Sequence, residues 1–447
     1  MLRPASRPDR AVRRLAAGVL TTGLLAGSVG GSALLWRSRH ITVPLLSETV
    51  ALTPDGGRTL LLPGDGRSLL PGTRVLRPSS PSDLPSALRL AAGQRAWLAA
   101  GTVPGTGGPF EPMVRDALLD LRTMTLENGA SLAGGPGKWR YVWPRDASFA
   151  AVALARSGHP DDAMAVLGYL ADLQAWDGRL QARYLPDGSG PPDDRGVQED
   201  GAGWVLWATG QVLAAMPDAE RARPPLKVLQ LAERTSARIL ALTQDGTRLP
   251  PPSSDYWEVP ENSLTLGIVA PLLAGLEAGA AVFTDVGRLA YAGRLTVASI
   301  RLRAAVEAAF GARGYPRHLD GDALDAAVTF VLPPFQQLPL AGAEAAWSRA
   351  ARVMRRPGGG LAPGEGWKRD GISWTPETAL FALTAASTGR PAEARAWMGW
   401  LSQHRTASGS LPEKVLSNGE PAAVAPLAWT AALVVLAADA LERSNGS

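Results

Sequence analysis

The feature that most constrains this chain is an alternation of two kinds of helical segment from about residue 109 onward. Amphipathic segments such as 224–242 and 391–402 alternate with segments that are apolar nearly all round, such as 146–157 and 263–278. A helix that is apolar on every side is buried on every side, whereas an amphipathic helix covers a core with one face. Six such pairs predict an all-α fold in which six inner helices are ringed by six outer ones, an (α/α)6 barrel.

Twelve candidate helices carry this pattern. They are predicted at 109–127, 146–157, 160–173, 200–216, 224–242, 263–278, 286–310, 323–331, 341–354, 376–387, 391–402 and 423–443. Six helical hairpins could also stack as an open superhelix. The loops that lead into the apolar helices differ greatly, however, and no short consensus repeats along the chain, which disfavours a solenoid.

The first forty residues are typical of an export segment. Five arginines and one aspartate within residues 1–14 precede the uncharged stretch 15–36, which would span about 33 Å as a helix, enough for a bilayer core. The basic flank predicts a cytoplasmic N-terminus. We expect residues 1–40 to be either a cleaved signal peptide or a retained signal anchor at the cell membrane, with the main domain outside. A buried N-terminal helix of the main domain fits the basic flank poorly.

Two further regions follow the export segment. Residues 41–81 combine β-branched runs with the turn sequences PDGG, PGDG and PGT, which predicts a short β-rich segment. Residues 82–447 form the helical domain. We expect the chain to be a monomer.

Charge and composition exclude several classes of function. The net charge of +4 is carried entirely by residues 1–14, so the rest of the chain is formally neutral and nucleic acid is not an expected partner. The chain has no cysteine and only four scattered histidines, which excludes thiol catalysis and iron–sulfur clusters. We therefore expect neither a metal nor a cofactor.

Residues that can carry chemistry cluster in the loops before the apolar helices. In a barrel of hairpins these loops emerge at one end, so we expect them to line one pocket. Of the 27 aromatic residues 14 are Trp, whose flat faces suit stacking on sugar rings. The five loops read KWRYVWPRD at 138–146, LQARYLPDG at 180–188 followed by VQEDGAGW at 197–204, DYWEVPEN at 255–262, GWKRDGISW at 366–374, and SGSLPEKVLSNG at 408–419 followed by APLAW at 425–429.

Two glutamates in these loops are candidates for glycoside hydrolysis, which needs two carboxyl groups flanking one bond. Glu258 follows Tyr256 and Trp257, an aromatic setting that would raise the pKa of a carboxyl and suit a general acid. Glu413 is the candidate base. The candidate sugar-binding residues are Trp139, Tyr141, Trp143, Arg145, Asp146, Asp200, Trp257, Trp374 and Trp429.

Each of these residues also has a simpler interpretation. Asp146 and Asp200 could cap helices, and Glu258 could be a first-turn acid favoured by the helix dipole. The tryptophans could belong to the core, and Glu413 could be a solvated loop charge. The repetition of carboxylate or Arg beside Trp or Tyr at equivalent places in five loops favours a shared site.

These motifs together resemble glycoside hydrolase family 15, the glucoamylase family, over about residues 82–445. KWRYVWPRDASFAAVAL, VQEDGAGWVLWA, DYWEV, and GSLPEKV followed by PLAW match its signatures in order. The resemblance implies an (α/α)6 barrel and inverting hydrolysis of α-glucosidic linkages from the non-reducing end. It also implies that Glu258 is the general acid and Glu413 the general base, that Arg145 and Asp146 bind the terminal glucose, and that Trp143 shapes the pocket.

The chain departs from the family pattern at several positions. Lys414 replaces the Gln that usually follows the base, and Val259 replaces a second Glu often found after the acid. The Arg-containing loop before the fifth inner helix is matched only loosely by Lys368–Asp370. Bacterial members usually carry a large N-terminal β-sandwich, which residues 41–81 are too short to form.

The expected partner is an α-linked glucan or oligosaccharide, with membrane contact limited to the N-terminal segment. A non-catalytic glycan-binding protein on the same barrel is the main alternative, although it would tolerate loss of either glutamate and both are present. A polysaccharide lyase or terpene cyclase fits less well, because histidine is scarce and the two Asp-Asp pairs lack an Asp-rich cyclase motif.

Overall fold

The structure is a computed structural model that describes residues 43–446. Within this range the α-helices are α1 (Leu84–Ala100), α2 (Glu111–Met124), α3 (Pro144–Arg156), α4 (Pro160–Leu173), α5 (Asp200–Ala214), α6 (Asp218–Arg221), α7 (Leu226–Thr243), α8 (Leu266–Asp285), α9 (Leu289–Ala309), α10 (Ala343–Val353), α11 (Thr375–Ser387), α12 (Pro391–Gln403) and α13 (Ala428–Gly446). The strands are β1 (Thr49–Leu52), β2 (Arg58–Leu61), β3 (Ser373–Trp374), β4 (Lys414–Val415) and β5 (Pro421–Ala422).

Six outer–inner pairs close into the predicted all-α barrel. The outer helices α2, α4, α7, α9, α10 and α12 each precede an inner element in the chain. The inner elements are α3, α5, α8, a 3-10 helix at Ala326–Val331, α11 and α13. Each inner element packs against the next, and α13 packs back against α3, which closes the ring.

The inner helices are buried along most of their length, as their composition predicts. In α3 every residue except the last is buried. Phe149 of α3 lies 5.0 Å from the ring of Trp204 in α5, which lies 4.8 Å from Phe330 of the 3-10 helix. These tilted and edge-to-face contacts fill the space between the inner elements and hold the loops above them in place.

The fourth inner element differs from the prediction. A helix was expected over 323–331, but the structure has a 3-10 helix at Ala326–Val331. Asp325 caps its start by accepting a hydrogen bond from Ala327 at 3.1 Å. Pro333 and Pro334 follow at once, and since neither has a backbone N–H, no α-helix continues through them.

The region before the barrel contains one antiparallel hairpin and a helix that the sequence analysis missed. β1 pairs with β2 in the segment predicted to be β-rich. Helix α1 was not among the predicted helices. Its buried side chains are Ala87, Ala91 and Gln94, so its core-facing stripe is small and partly polar and lacks the large apolar residues on which helix prediction depends.

A small sheet joins two loops at the barrel end that carries the motifs. β4 pairs with β3 on one side and β5 on the other, and Trp374 stands opposite Lys414 in the register. Glu413 comes directly before β4. The sheet therefore fixes this glutamate beside the start of α11.

The predicted export segment at 1–40 lies outside the described residues. Within the described part of the chain, α8 is the helix long and apolar enough to cross a bilayer. Most of its residues are buried among the other barrel helices, which accounts for its apolar composition.

Candidate active site

A cavity of about 280 Å³ opens at the barrel end where the motif loops meet, and both candidate catalytic glutamates line it. Its size is close to the lower limit of about 300 Å³ for small-molecule pockets. We call it the site cavity. It is lined by Ala133, Lys138, Trp139, Trp143, Arg145, Asp146, Arg183, Arg195, Tyr256, Trp257, Glu258, Pro363, Trp367, Trp374, Pro376, Glu377, Glu413, Leu427 and Trp429.

Glu258 is held in a tight turn. The Asp255 side chain accepts a hydrogen bond from Trp257 N–H at 3.0 Å, and the Asp255 carbonyl accepts one from Glu258 N–H at 2.9 Å. Glu258 has a φ of 58°, a left-handed conformation that is uncommon for a residue with a side chain. Asp255 is itself paired with Arg317 at 2.8 Å. Backbone strain of this kind often accompanies functional positions, where the surrounding structure enforces it.

The surroundings of the Glu258 carboxylate are polar, in contrast to the apolar setting expected from its neighbours in sequence. It accepts hydrogen bonds from the Trp143 indole at 3.1 Å and from Gln198 at 2.8 Å. It also pairs with Arg195, and Arg145 Nη2 lies 3.6 Å from Oε1. Four side chains that carry N–H groups therefore surround this carboxyl group.

The aromatic residues that precede Glu258 in sequence contact other side chains. This explains why the surroundings of its carboxyl group are polar and not apolar. The Tyr256 hydroxyl donates to Asp325 at 2.8 Å. The Trp257 ring lies over the Arg317 guanidinium at 3.8 Å and meets Trp367 edge-on at 4.8 Å. These two rings adjoin Glu258 in sequence but do not surround its carboxyl group.

Glu413 is mostly buried, with 13% of its side chain exposed. Burial raises the pKa of its carboxyl, and contacts with Lys414 and Trp139 act in the opposite direction. Lys414 Nζ lies 3.3 Å from Glu413 Oε2 and 4.2 Å from the centre of the Trp374 ring. A carboxyl group with a raised pKa holds a proton more readily than an exposed one.

Arg145 connects the acidic residues beside the cavity. Its guanidinium lies 3.2 Å from Asp146 and 3.5 Å from Asp200, and it stacks over the Trp429 ring at 5.0 Å. Asp146 does not cap α3, since the N-cap residue is Trp143 and Asp146 lies inside the first turn. Burial raises the pKa of Asp146, and Arg145 opposes that shift.

Most of the predicted site residues line the cavity, and two do not. Among the described residues, Tyr141 and Asp200 are the predicted ones that do not line the cavity. Asp200 is fully buried beneath Arg145, and burial raises its pKa to about 7. Tyr141 stacks on Arg183, whose guanidinium lies 5.0 Å from the ring. Both residues support a side chain that does reach the cavity.

Some lining residues were not among the predicted site residues. Arg195 contacts Glu258 from the long loop between α4 and α5, a region whose Gly, Pro and Asp content signals only turns. Glu377 lies in the first turn of α11, where an acid is ordinarily explained by the helix dipole. Trp367 lies in the loop GWKRDGISW at 366–374 but was not a predicted site residue. Only the closed barrel shows that these side chains face Glu258 and Glu413.

The described residues contain no group of three His, Cys, Asp or Glu side chains placed to hold a metal ion. The chemistry available at the cavity is that of carboxyl groups, guanidinium groups and indole rings. This donor set suits proton transfer to and from an uncharged, hydroxyl-rich ligand.

No protein-family model and no curated protein sequence matches the chain. Solved structures do match its fold. A glycosidase superposes with a TM-score of 0.63 at 20% identity, covering 74% of this chain and 96% of its own. A variant of a glycosidase with a glutamate replaced by alanine, in complex with glucose, gives 0.64 over the same shares, also at 20% identity.

Two glucoamylases are also similar in structure. A bacterial glucoamylase complexed with acarbose has a TM-score of 0.62 at 14% identity, over 82% of this chain and 62% of that chain. The glucoamylase from Saccharomycopsis fibuligera has a TM-score of 0.60 at 12% identity, over 77% of this chain and 97% of that chain. The chain therefore has a glucoamylase-like glycoside hydrolase fold, and the predicted barrel is confirmed.

Proposed function

We propose that the protein is a glycoside hydrolase. More particularly, we propose inverting, exo-acting hydrolysis of α-glucosidic linkages in an oligo- or polysaccharide, with Glu258 as general acid and Glu413 as general base. The observation that carries the proposal is that these two glutamates, far apart in sequence, line one cavity among indole rings. Similarity in fold to glycosidases and glucoamylases supports it.

In the proposed reaction, protonated Glu258 donates its proton to the glycosidic oxygen as the bond from C1 to that oxygen breaks. Glu413 takes a proton from a water molecule, and the water oxygen attacks C1 from the opposite face. An α-linked substrate therefore gives β-glucose first. Arg145 and Asp146 would bind hydroxyl groups of the terminal ring. A cavity of about 280 Å³ suits one sugar ring, which supports exo action.

Glu258 donates the proton in this proposal, and in the structure its carboxyl group contacts both Arg195 and Arg145. Arg145 is buried, but 34% of the Arg195 side chain is exposed. In our proposal, the aglycone displaces Arg195 when substrate binds. This displacement frees the Glu258 oxygen that Arg195 contacts to face the glycosidic oxygen.

The proposal is tested by the configuration of the first product. Purified protein is incubated with a panel of α-glucosides, and the anomeric protons are followed by NMR before mutarotation. We expect β-glucose from the cleaved substrates. An α-configured first product would contradict the inverting mechanism and indicate a retaining one.

Variants of the two glutamates test their roles. We expect Glu413→Ala to lower kcat by about 10²–10⁴, the contribution of a positioned general base, with azide partly replacing it. Glu258→Gln should impair substrates with poor leaving groups far more than glucosyl fluoride, which needs no protonation. Glu420→Ala, an exposed glutamate in the same loop as Glu413, is the control. Near-normal turnover by Glu413→Ala would contradict the assignment.

A second candidate function is non-catalytic glycan binding on the same barrel. The ion pair of Glu258 with Arg195 favours it, because this guanidinium occupies the carboxyl group that would have to reach the glycosidic oxygen. Saturable binding of α-glucans by calorimetry, without release of glucose from any member of the panel, would support this function instead.

We further propose that the domain acts outside the cytoplasm, either secreted or anchored in the cell membrane by the N-terminal segment, and as a monomer. The proposal of export rests on the basic residues of 1–14, which are followed by the uncharged stretch 15–36. A fusion of residues 1–40 to a reporter should reach the outer side of the membrane. A reporter retained in the cytoplasm would contradict this proposal.

A further inference from the structure

Glu377 is a buried carboxyl group in the site cavity that the proposed mechanism leaves without a role. It lies in the first turn of α11, lines the cavity, and is 3% exposed. Its Oε2 atom is buried and has no hydrogen-bond partner among the described residues. A buried polar group without a partner costs free energy, so such a group at a binding site indicates that the ligand supplies the partner.

The fold places Glu377 beside the candidate base. The Thr375 N–H, two residues before Glu377, donates a hydrogen bond to the Glu413 carbonyl at 3.0 Å. Strands β3 and β4 hold the two segments together immediately next to this bond. Glu377 and Glu413 therefore belong to one rigid corner of the cavity.

The charged or titratable groups that face Glu377 are Glu413, Lys414, Arg145 and Tyr256. Burial, with the Glu413 charge adding to it, raises the pKa of Glu377 to about 8, although its own backbone N–H, Lys414 and Arg145 act in the opposite direction. At neutral pH Glu377 is thus a carboxylic acid, which can both donate and accept a hydrogen bond.

We propose that Glu377 is a positioning residue that donates a hydrogen bond from its neutral carboxyl group to a hydroxyl of the sugar ring seated against Glu413. This inference rests on the proposed function only in taking glucose as the ligand. A hydroxyl matches the site because it accepts this bond and donates another. An anionic ligand group would meet the negative charges of Glu413 and Asp146.

The simpler explanation is that Glu377 only stabilises the N-terminus of α11 through the helix dipole. That role requires a charged side chain, whereas burial favours the neutral one. Glu393 provides a matched control, since it occupies the first turn of the outer helix α12 and is exposed. If Glu377 acts only through the helix dipole, replacing Glu377 or Glu393 should change stability by similar amounts. Neither replacement should then change which sugars bind.

The test measures binding, so it does not depend on turnover. Glucose and its 2-, 3-, 4- and 6-deoxy derivatives are titrated into wild type, Glu377→Gln, Glu377→Ala and Glu393→Ala, following the fluorescence of the tryptophans that line the cavity. In wild type one deoxy sugar should bind about tenfold more weakly than glucose, the effect of one neutral hydrogen bond. That difference should persist in Glu377→Gln and Glu393→Ala and disappear in Glu377→Ala.

The pH dependence provides a second measurement. Glucose affinity of wild type should fall above about pH 8, where Glu377 loses its proton and a second negative charge appears beside Glu413. Glu377→Gln keeps a neutral donor at all pH values, so this fall should be absent from it. A structural role for Glu377 would not produce such a difference.

The outcomes separate this inference from the proposed function. If Glu377→Ala discriminates among the deoxy sugars as wild type does, or if wild type gives no saturable signal with glucose, the inference is overturned. If the binding results are as expected but no α-glucoside is hydrolysed, the hydrolytic proposal fails and the role of Glu377 in binding stands. Thermal unfolding of each variant checks that it is folded.

Discussion

At the scale of single residues, the site cavity brings three glutamates together in different surroundings. Glu258 is surrounded by N–H donors and guanidinium groups, whereas burial raises the pKa of Glu413 and of Glu377. Carboxyl groups in one site can take different roles when their surroundings differ. Burial and the placement of Arg145, Arg195 and Lys414 set these differences.

Asp200 provides a test of this electrostatic arrangement. Its pKa is raised to about 7 in the folded chain from an ordinary value of 3.8. Between these values the unfolded chain releases a proton that the folded chain keeps, so stability falls as pH rises. The fall is at most about 1.4 kcal/mol per pH unit for one proton. We expect Asp200→Asn to reduce the loss of stability between about pH 4 and pH 7.

Urea unfolding of both proteins at several pH values in this range measures the difference. Glu393→Gln, which alters an exposed carboxyl group, should leave the pH dependence unchanged. An Asp200→Asn variant whose stability declines with pH as steeply as that of wild type would contradict a buried, proton-retaining Asp200.

At the scale of secondary-structure elements, the sequence predicted the helices that are buried through large apolar residues. It failed where small or polar residues determine the structure. The inner helices follow from their apolar composition. Helix α1 was missed because its buried stripe consists of Ala87, Ala91 and Gln94. Of the residues that line the site cavity, Glu258 and Glu413 are predicted from sequence motifs. Glu377 and Arg195 were not, because only the closed barrel shows which loop side chains face a common cavity.

The packing of α5 against α8 depends on a glycine. A Cβ atom at Gly203 would lie 2.2 Å from the carbonyl carbon of Pro271, a backbone atom that cannot move aside. We expect Gly203→Ala to destabilise the fold by at least about 1–3 kcal/mol, the usual cost of overpacking a core. Since Asp200 begins the same helix, activity should fall as well. Urea unfolding and kcat measure the two effects.

Gly201→Ala is the matched control in the same helix. A Cβ atom there would lie 3.4 Å from Pro144, an ordinary van der Waals distance. Alanine also has a more favourable helix-forming free energy than glycine. We therefore expect little loss of stability. Equal destabilisation by both substitutions would show that general crowding of α5, not the approach to Pro271, limits the packing.

At the scale of the whole molecule, a buried arginine links the region before the barrel to the loop that carries Glu413. Arg74 is 2% exposed and pairs with Asp120 of α2 and, at 3.3 Å, with Asp116. It also donates to the Ser408 carbonyl at 3.2 Å and to the Ser410 hydroxyl at 3.4 Å. The position of Glu413 thus depends on contacts from outside the barrel.

Replacement of this arginine should therefore affect both stability and catalysis. We expect Arg74→Met to cost about 3–5 kcal/mol, because it leaves the Asp120 carboxylate buried without its partner. It should also lower kcat by releasing the loop that holds Glu413. Arg67→Met, which breaks an exposed ion pair with Asp65 in the same region, should cost about 0–1 kcal/mol. Urea unfolding and kcat distinguish the two variants.

The double variant Arg74→Met/Asp120→Leu separates the two effects. Removing both charges relieves the uncompensated buried carboxylate, so most of the lost stability should return. The hydrogen bonds from Arg74 to Ser408 and Ser410 remain absent, so kcat should stay low. A double variant that regains both stability and activity would show that the loop carrying Glu413 keeps its position without Arg74, and that the region before the barrel contributes stability alone.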